Sequence, residues 1–269
     1  MPELITITDA DDTRLAPYRD IRERDLVGRQ GVFIAEGTVV LEVLARSTRH
    51  RPLSVLLAER RLSGLKDKLD ALPTEVPVYL APDAVIARIA GFAVHRGVLA
   101  LGKRASEPDL HTALAGLPGT ALILVLIGIA NHDNIGGIFR NAAAFGADLV
   151  LLDQACCDPL YRKAIRVSVG GTLLVPFARI PPETDILAAL AKADITGLAL
   201  SPSGSVPLHR VLRPKRGALV LGSEGAGLPL DLLSRCEALR IPMAADFDSL
   251  NVATTSGVAL HYLRHLASS

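Results

Sequence analysis

A polar segment that follows a long apolar run is the first place where this sequence could do chemistry. Residues 131–140 read NHDNIGGIFR. The paired glycines Gly136 and Gly137 would let a ligand approach the backbone closely, and a helix that begins here would favour an anion such as phosphate. Asn134 and Arg140 lie about two turns apart and can share a helix face. The alternative is that Asn134 caps the helix and Arg140 is a solvated charge.

A glycine-rich turn is the second candidate for a ligand site. Residues 222–229 read GSEGAGLP and follow a strand-like run. The glycine spacing is that of a phosphate-cradling loop, but Leu228 and Pro229 stand where that motif requires Lys and Ser/Thr. Leu230 stands where a dinucleotide-binding turn needs its third glycine. A tight strand-to-helix turn is the alternative, but three glycines together with Glu224 favour a ligand loop.

The third candidate lies near the end of the chain, where Ile241-Pro242-Met243 is followed by Ser249-Leu250-Asn251. Ser249 has the character of an N-cap for the last helix, which is also its plain structural interpretation. Asp246 and Asp248 between the two pieces are either further loop acids or part of a solvated turn.

These three segments must be held in place by strands and helices, which alternate along the chain. The pattern predicts an α/β fold, with a mostly parallel sheet that carries helices on both faces. We predict a small N-terminal α/β domain over residues 1–103 and a linker over 104–119, where Pro, Gly, Ser and Thr accumulate. A larger domain follows over 120–269. In such sheets, ligands bind at the carboxyl ends of the strands.

Composition excludes several other classes of protein. The net charge is +1, so any surface for nucleic acid must come from local clustering. The three cysteines form neither a metal-ligand spacing nor a disulfide framework, which favours a reduced, cytoplasmic protein without a metal. The longest apolar run is too short to cross a bilayer, and the acidic N-terminus does not resemble a signal peptide.

Taken in order, the three segments resemble the motifs of the SpoU/TrmH family of RNA 2′-O-ribose methyltransferases, part of the SPOUT superfamily. The patterns N-x-G-x-I-x-R, G-x-E-G-x-G and I-P-M…S-L-N are met respectively by Asn134, Gly136, Ile138 and Arg140, by Gly222, Glu224, Gly225 and Gly227, and by Ile241, Pro242, Met243, Ser249, Leu250 and Asn251. The segment between them resembles the family's R-x-S-x-G piece, through Arg166, Ser168 and Gly170. The resemblance covers residues ~120–265.

The resemblance implies a fold and a cofactor. In this family the C-terminal chain passes through a loop to form a trefoil knot, and S-adenosylmethionine is held in a bent shape between the second and third motifs. By position, the cofactor-binding residues would be Gly222, Gly227, Ile241, Met243 and Leu250, largely through backbone atoms. The family also works as a homodimer. The last helix is apolar on more than one side, so we expect Leu263 to face a second copy.

The same resemblance implies roles in the reaction. Arg140 would activate the ribose hydroxyl, Asn134, Ser249 and Asn251 would position ribose and phosphate, and Glu224 would orient Arg140 or brace its loop. Three positions depart from the common pattern: Asn131-His132 stands for Asp-Pro, Asn141 for Thr after the arginine, and Ser223 for Asn.

RNA is the expected partner. The pieces FIAEG and HRGVLAL resemble the family's small RNA-binding N-terminal domain, which favours ribosomal over transfer RNA as the substrate. Three basic clusters could contact it: Arg19, Arg22, Arg24 and Arg29; Arg46, Arg49 and Arg51; and Arg60 and Arg61. Each cluster could equally be a solvated surface. A base methyltransferase, a non-catalytic RNA-binding protein and a nucleotide-dependent α/β enzyme remain as alternatives.

Overall fold

The computed structural model describes residues 2–19, 31–244 and 248–265. The chain divides into two compact units: Met1–Ser106 with Asp158–Leu174, and Glu107–Cys157 with Val175–Ser269. The chain therefore crosses between the units three times. The sequence-based boundaries assign 158–174 to the second domain, whereas this segment packs with the first unit. Within the described ranges, no helix is long and apolar enough to span a membrane.

Strands and helices alternate through most of the chain. In order they are β1 (Leu4–Thr6), β2 (Val32–Glu36), α1 (Thr38–Ala45), β3 (Arg51–Ala58), α2 (Lys66–Leu69), β4 (Val78–Ala81), α3 (Asp83–Ala90), β5 (Val98–Lys103), α4 (Leu110–Ala115), β6 (Ala121–Ile127), α5 (His132–Ala144), β7 (Leu149–Leu152), α6 (Arg162–Val167), α7 (Gly171–Leu174), β8 (Phe177–Arg179), α8 (Ile186–Lys192), β9 (Thr196–Leu200), β10 (Val206–Pro207), β11 (Arg216–Gly222), α9 (Leu230–Ser234), β12 (Glu237–Arg240) and α10 (Val252–His265).

The first unit is built on a mixed sheet. Its described strands lie in the order β1-β4-β3-β5-β2, with β5 antiparallel to both of its neighbours. Every residue of β2 and β4 is buried. This burial accounts for their continuous apolar sequences, because both faces of these strands are covered.

A buried ion pair fixes α6 to the edge strand β2 within the first unit. Glu36 is 5% exposed, and its carboxylate accepts a hydrogen bond from the Arg162 guanidinium. Arg166 lies 3.8 Å from the same carboxylate oxygen, and Arg162 also stacks over the Phe92 ring. Breaking a buried pair on one side leaves an uncompensated charge. The 158–174 segment is therefore an integral part of this unit.

The second unit is a parallel sheet in the order β10-β12-β9-β11-β6-β7-β8, counted over the described residues. Its pairings are all parallel. From β6 the chain passes through α5 to β7 on one side, whereas β11 and β9 lie on the other, with β11 at the centre of the seven strands. In open α/β sheets, ligands bind at the carboxyl edge near such a reversal. The predicted α/β class with a mostly parallel sheet is confirmed, and the knot stays a prediction.

The predicted linker is not a plain connection. Its middle forms α4, which begins after the N-cap Asp109, whose carboxylate accepts from the Thr112 backbone N–H. Leu110 and Leu114 are buried in the apolar core of the second unit. The Pro and Gly content of residues 104–119 is typical of a linker, and for this reason the short helix was not predicted. Two apolar residues four apart lie on one face of a helix, and this is enough to pack one turn on the core.

Candidate functional site

The carboxyl edge of the parallel sheet brings the three sequence motifs together. The first motif follows β6, the second follows β11 and the third follows β12. Strands β6 and β11 are adjacent and in register, with Gly222 opposite Ile127. Beyond the strand ends, a side chain at Gly128 would lie 3.4 Å from the Ser223 Cβ atom. The loops of the first two motifs are therefore in close proximity.

Asn131, not Asn134, caps the helix of the first motif. The Asn131 side chain accepts a hydrogen bond from the Asp133 backbone N–H at 2.8 Å. Asn134 lies inside α5 and is 6% exposed, so the capping alternative for it is wrong. A buried polar side chain inside a helix needs a specific partner.

A neighbouring loop supports the turn into α5. The Asp153 carboxylate accepts from the Gly128 backbone N–H, and the Cys156 sulfur accepts from the Ile129 N–H. Burial raises the pKa of the Cys156 thiol to about 12. The thiol therefore stays protonated and donates to the Leu126 carbonyl. This cysteine has a structural role, which agrees with the absence of a metal-ligand spacing in the sequence.

The glycine-rich segment is a compact loop closed by its own backbone. Ser223 and Gly227 form an isolated bridge, with the Gly227 N–H donating to the Ser223 carbonyl at 3.1 Å. Gly225 and Gly227 have φ angles of +88° and +67°, which favour glycine. Gly222 needs to be glycine for a different reason. A Cβ atom there would lie 2.4 Å from the Gly227 carbonyl carbon.

Asn251 joins all three motifs. Its amide nitrogen donates to the Asn134 side-chain oxygen at 2.9 Å and to the Glu224 carboxylate at 2.7 Å. Its side-chain oxygen accepts from the Ala253 and Thr254 N–H groups and so caps α10. Ser249 is therefore not the N-cap that the sequence suggested. Both donors and the acceptor of Asn251 are engaged within the protein.

A cavity of about 380 Å³ opens beside this network. Its walls come from the ends of β9, β11 and β12 and from the first turn of α10. The five residues predicted to bind the cofactor all line it: Gly222, Gly227, Ile241, Met243 and Leu250. Glu224, Asp248 and Ser249 line it as well, whereas Asp246 lies outside the described residues. The structure brings these residues together, and their role in binding stays a prediction.

Sequence reasoning missed one wall of this cavity. Leu200 ends β9, Ser201 and Pro202 follow it, and Thr255 lies on the first turn of α10. The signal was present, because a Ser-Pro-Ser-Gly turn ends an apolar strand at Ser201. What the sequence lacked was the strand order, which places β9 directly beside β11.

Arg140 is exposed, as are Glu224, Ser249 and Asn251. It lies on α5, about two turns beyond Asn134, and its side chain forms no hydrogen bond or ion pair with any residue in the described ranges. The next residue, Asn141, donates its side-chain amide to the Ala253 carbonyl on α10 at 2.7 Å. This hydrogen bond thus connects the turn of α5 that carries Arg140 to α10, the helix that Asn251 caps.

Known proteins are similar to this chain in sequence and in fold. Residues 121–261 match the SpoU rRNA Methylase family. An uncharacterized tRNA/rRNA methyltransferase of Mycobacterium bovis is 39% identical over 264 residues, which cover 95% of this chain and 90% of that protein. A 23S rRNA (guanosine-2′-O-)-methyltransferase of Salmonella typhi is 29% identical over 209 residues, covering 74% and 86%. An AdoMet-bound rRNA methyltransferase structure from Sinorhizobium meliloti superimposes with a TM-score of 0.80 at 24% identity, covering 98% of this chain and 99% of the other.

The close approach at Gly222 generates a prediction. Gly222→Ala should weaken binding of S-adenosylmethionine about tenfold or more, because the added methyl group displaces the 223–227 loop from the cavity wall. Isothermal titration calorimetry measures the effect directly. Gly119→Ala is the matched control, since a Cβ atom there meets nothing within 4 Å. Equal affinities in the two variants would show that the loop does not form the binding surface.

Proposed function

Because this chain belongs to the SpoU rRNA methylase family, we propose that it transfers a methyl group from S-adenosylmethionine to a ribose 2′-hydroxyl of RNA. The hydrogen-bonded network of Asn134, Glu224 and Asn251 carries the proposal, because it connects all three motifs at the mouth of one cavity. Ribosomal RNA is the preferred substrate class. The named relative from Salmonella typhi, a 23S rRNA 2′-O-methyltransferase, supports this choice.

The cavity suits the proposed cofactor. Its volume lies within the range of about 300–1,000 Å³ found for small-molecule sites. Gly225 and Gly227 leave the loop backbone open, since a Cβ atom at either position meets nothing within 4 Å. Backbone groups of this loop, together with Ile241 and Leu250, would hold the cofactor. When bound, S-adenosylmethionine supplies an electrophilic methyl group on a positively charged sulfur, so the reaction needs no metal.

Arg140 acts on the acceptor side. A guanidinium keeps its proton far above neutral pH, which makes it a poor general base. Its planar donors instead orient the 2′-hydroxyl and stabilise the negative charge that develops on its oxygen. As the O–CH3 bond forms, the S–CH3 bond would break with its electron pair going to sulfur, which leaves neutral S-adenosylhomocysteine, and the hydroxyl proton would go to water. The absence of a described protein partner for Arg140 fits this role, because the donors are available to RNA.

The neighbouring polar residues divide into two groups. Asn251 has no donor left for a ligand, so its role is to brace Asn134 and Glu224 rather than to touch ribose. Glu224 in turn braces the glycine-rich loop. Ser249 is exposed on the cavity wall and forms no hydrogen bond within the described ranges, so its hydroxyl is available to ribose or phosphate.

The activity is tested with labelled S-adenosylmethionine and total RNA. The wild-type protein should place the label on a 2′-oxygen, which protects the next phosphodiester from alkaline hydrolysis. Arg140→Ala should lower the rate at least about a hundredfold while it leaves cofactor affinity nearly unchanged. Arg140→Lys should also be slow, because an ammonium group does not reproduce the planar fork.

Arg264→Ala is the matched control for this measurement. Arg264 is exposed in the last turn of α10, at the opposite end from Asn251, and should be dispensable. Label found on a base would support the base methyltransferase instead. Cofactor binding without any transfer to RNA would support a non-catalytic RNA-binding protein.

The first unit supplies the proposed RNA-binding surface, and its basic clusters are not equivalent. Arg19 donates to the Ala10 and Asp12 carbonyls, while Arg22, Arg24 and Arg29 lie outside the described residues. Arg60 forms an ion pair with Asp83 at 2.7 Å, and Arg61 contacts the Thr38 hydroxyl. Arg19, Arg60 and Arg61 therefore already have partners within the unit.

The remaining cluster, which consists of Arg46, Arg49 and Arg51, has further basic residues beside it in the structure. Arg51 at the start of β3 is paired in register with Lys103 at the end of β5, and both are exposed. Arg49 and Arg104 are close to this pair in sequence, and Arg104 forms an ion pair with Asp158. Burial, together with the positive charges of Arg49 and Arg104, lowers the pKa of His50 to about 4. The exposed Arg51 and Lys103 place two positive charges side by side on this surface, which suits an RNA phosphate.

Reversing these charges should weaken RNA binding. The double substitution Arg51→Glu and Lys103→Glu should lower affinity and reduce the slope of log K against log salt by about 0.7–0.9 for each phosphate that the protein no longer neutralises. Filter binding over a range of salt concentrations measures both. Arg88→Glu is the control, because Arg88 is also exposed and lies on α3, where it forms an ion pair with Asp11. Identical slopes for control and double variant would exclude this surface.

The proposal includes a homodimer, but its contact residue differs from the expected one. Leu263 is fully buried within the second unit, so its predicted outward position is wrong. The exposed side of α10 carries Thr254, Val258 and His261, and the His261 ring meets the edge of Phe145 at 5.6 Å between centroids. Val258 is 42% exposed and is the apolar centre of this side. Burial of such a residue favours self-association.

Val258→Glu should therefore raise the dissociation constant of the dimer about tenfold or more, since a carboxylate would be buried without a partner. Sedimentation equilibrium provides the measurement. Val39→Glu serves as the control, because Val39 is 51% exposed on α1 of the first unit. A folded Val258→Glu protein that sediments like the wild type would remove this side of α10 from the dimer.

A further inference from the structure

Helices α5 and α10 pack against each other unusually closely near Arg140. A Cβ atom on Gly137 would lie 2.6 Å from the Ala253 Cβ atom, so only glycine allows the contact. From the other helix, Gly257 leaves room for a side chain of α5. A Cβ atom there would lie 3.1 Å from the Asn141 amide nitrogen. Small residues on both helices thus bring the two backbones together.

Asn141 occupies the space that Gly257 leaves. Its amide donates to the Ala253 carbonyl at 2.7 Å and to the Ser256 hydroxyl at 3.0 Å. The Ser256 hydroxyl, which is fully buried, donates to the same carbonyl at 2.7 Å. Three polar groups thereby form a closed arrangement between the helices. Polar bonds fix the axial position of one helix against the other more sharply than apolar contacts do, because they are directional.

This arrangement is the second polar connection between the helices. The first joins Asn251 to Asn134 at their N-terminal ends. Arg140 is on α5 between the two connections and directly precedes Asn141. On the α10 side, Val252 and Thr255 from the same turn as Ala253 line the cavity. The turn of α10 to which Asn141 is hydrogen-bonded is therefore also the turn that borders the proposed cofactor site.

We propose that Asn141 is a positioning residue for methyl transfer. It fixes the position of Arg140 along the axis of α5 relative to the cavity wall that the first turn of α10 forms. The inference rests on the proposed function of Arg140. Asn141 touches neither RNA nor cofactor, and it acts through the backbone of α5. Displacement of a catalytic group by about 1 Å can slow a reaction about a hundredfold, so the loss of a single connection has a large effect on rate.

The test separates positioning from folding. Asn141→Ala should lower kcat about tenfold or more, with the melting temperature and the affinity for S-adenosylmethionine nearly unchanged. Asn141→Asp keeps the shape but removes the donor, and it should be at least as slow because two oxygens then face each other. Gln154→Ala is the matched control, since Gln154 also donates its amide to a backbone carbonyl, that of Ile180 at 2.6 Å. Its kcat should match that of the wild type.

A double-mutant cycle supplies the decisive readout. If Asn141 acts through Arg140, Asn141→Ala should have little further effect on the single-turnover rate of the Arg140→Lys enzyme. Equal rate losses in both backgrounds would overturn the proposal, as would wild-type kcat in Asn141→Ala. A parallel loss of melting temperature and cofactor affinity would also overturn it, by showing a purely structural role. Absence of methyl transfer by the wild type would instead refute the proposed function on which the inference rests.

Discussion

The close approach of α5 and α10 is the constraint on which the site depends. Two adjacent glycines inside α5 cost about 1 kcal/mol each in helix propensity, and Gly137 is needed because Ala253 leaves no room for a side chain. The helix recovers this loss through packing, since Ile135, Ile138 and Phe139 are fully buried. Tertiary packing, more than intrinsic helix propensity, therefore stabilises the helix that carries Arg140.

The parallel sheet explains why three distant segments meet. Strands β6 and β11 are adjacent although about 90 residues separate them in the chain. Their carboxyl ends present loops on the same edge, and Asn251 joins those loops through both of its amide donors. The partner that is costly to lose is the buried Asn134, which is 6% exposed and accepts from Asn251, because a buried polar group without a hydrogen bond is destabilising. The network thus holds a fixed geometry before any ligand arrives.

Much of this could be predicted from the sequence. Periodicity and apolar runs predicted the α/β class, and the motif residues converge on one network and one cavity. Features that depend on tertiary packing were not accessible. Asn131 and Asn251 cap their helices in place of Asn134 and Ser249, because capping depends on which side chain reaches a free N–H. The neighbours of Leu263 could not be predicted, since an apolar position in a helix does not indicate whether its own unit or a second copy of the chain buries it. The assignment of 158–174 to the first unit depends on Glu36, more than 120 residues away.

Arg140 differs from its polar neighbours because its side-chain donors are available to a ligand. Asn134, Asn141, Glu224 and Asn251 are all engaged with other protein groups, whereas Arg140 has no partner in the described ranges. An exposed arginine without a partner keeps its charge and its guanidinium donors available for an oxyanion, although its long side chain must be ordered when the oxyanion binds. Because the surrounding groups are already fixed, RNA binding need organise only one long side chain. In this arrangement the protein supplies the geometry and the RNA supplies the missing partner of Arg140.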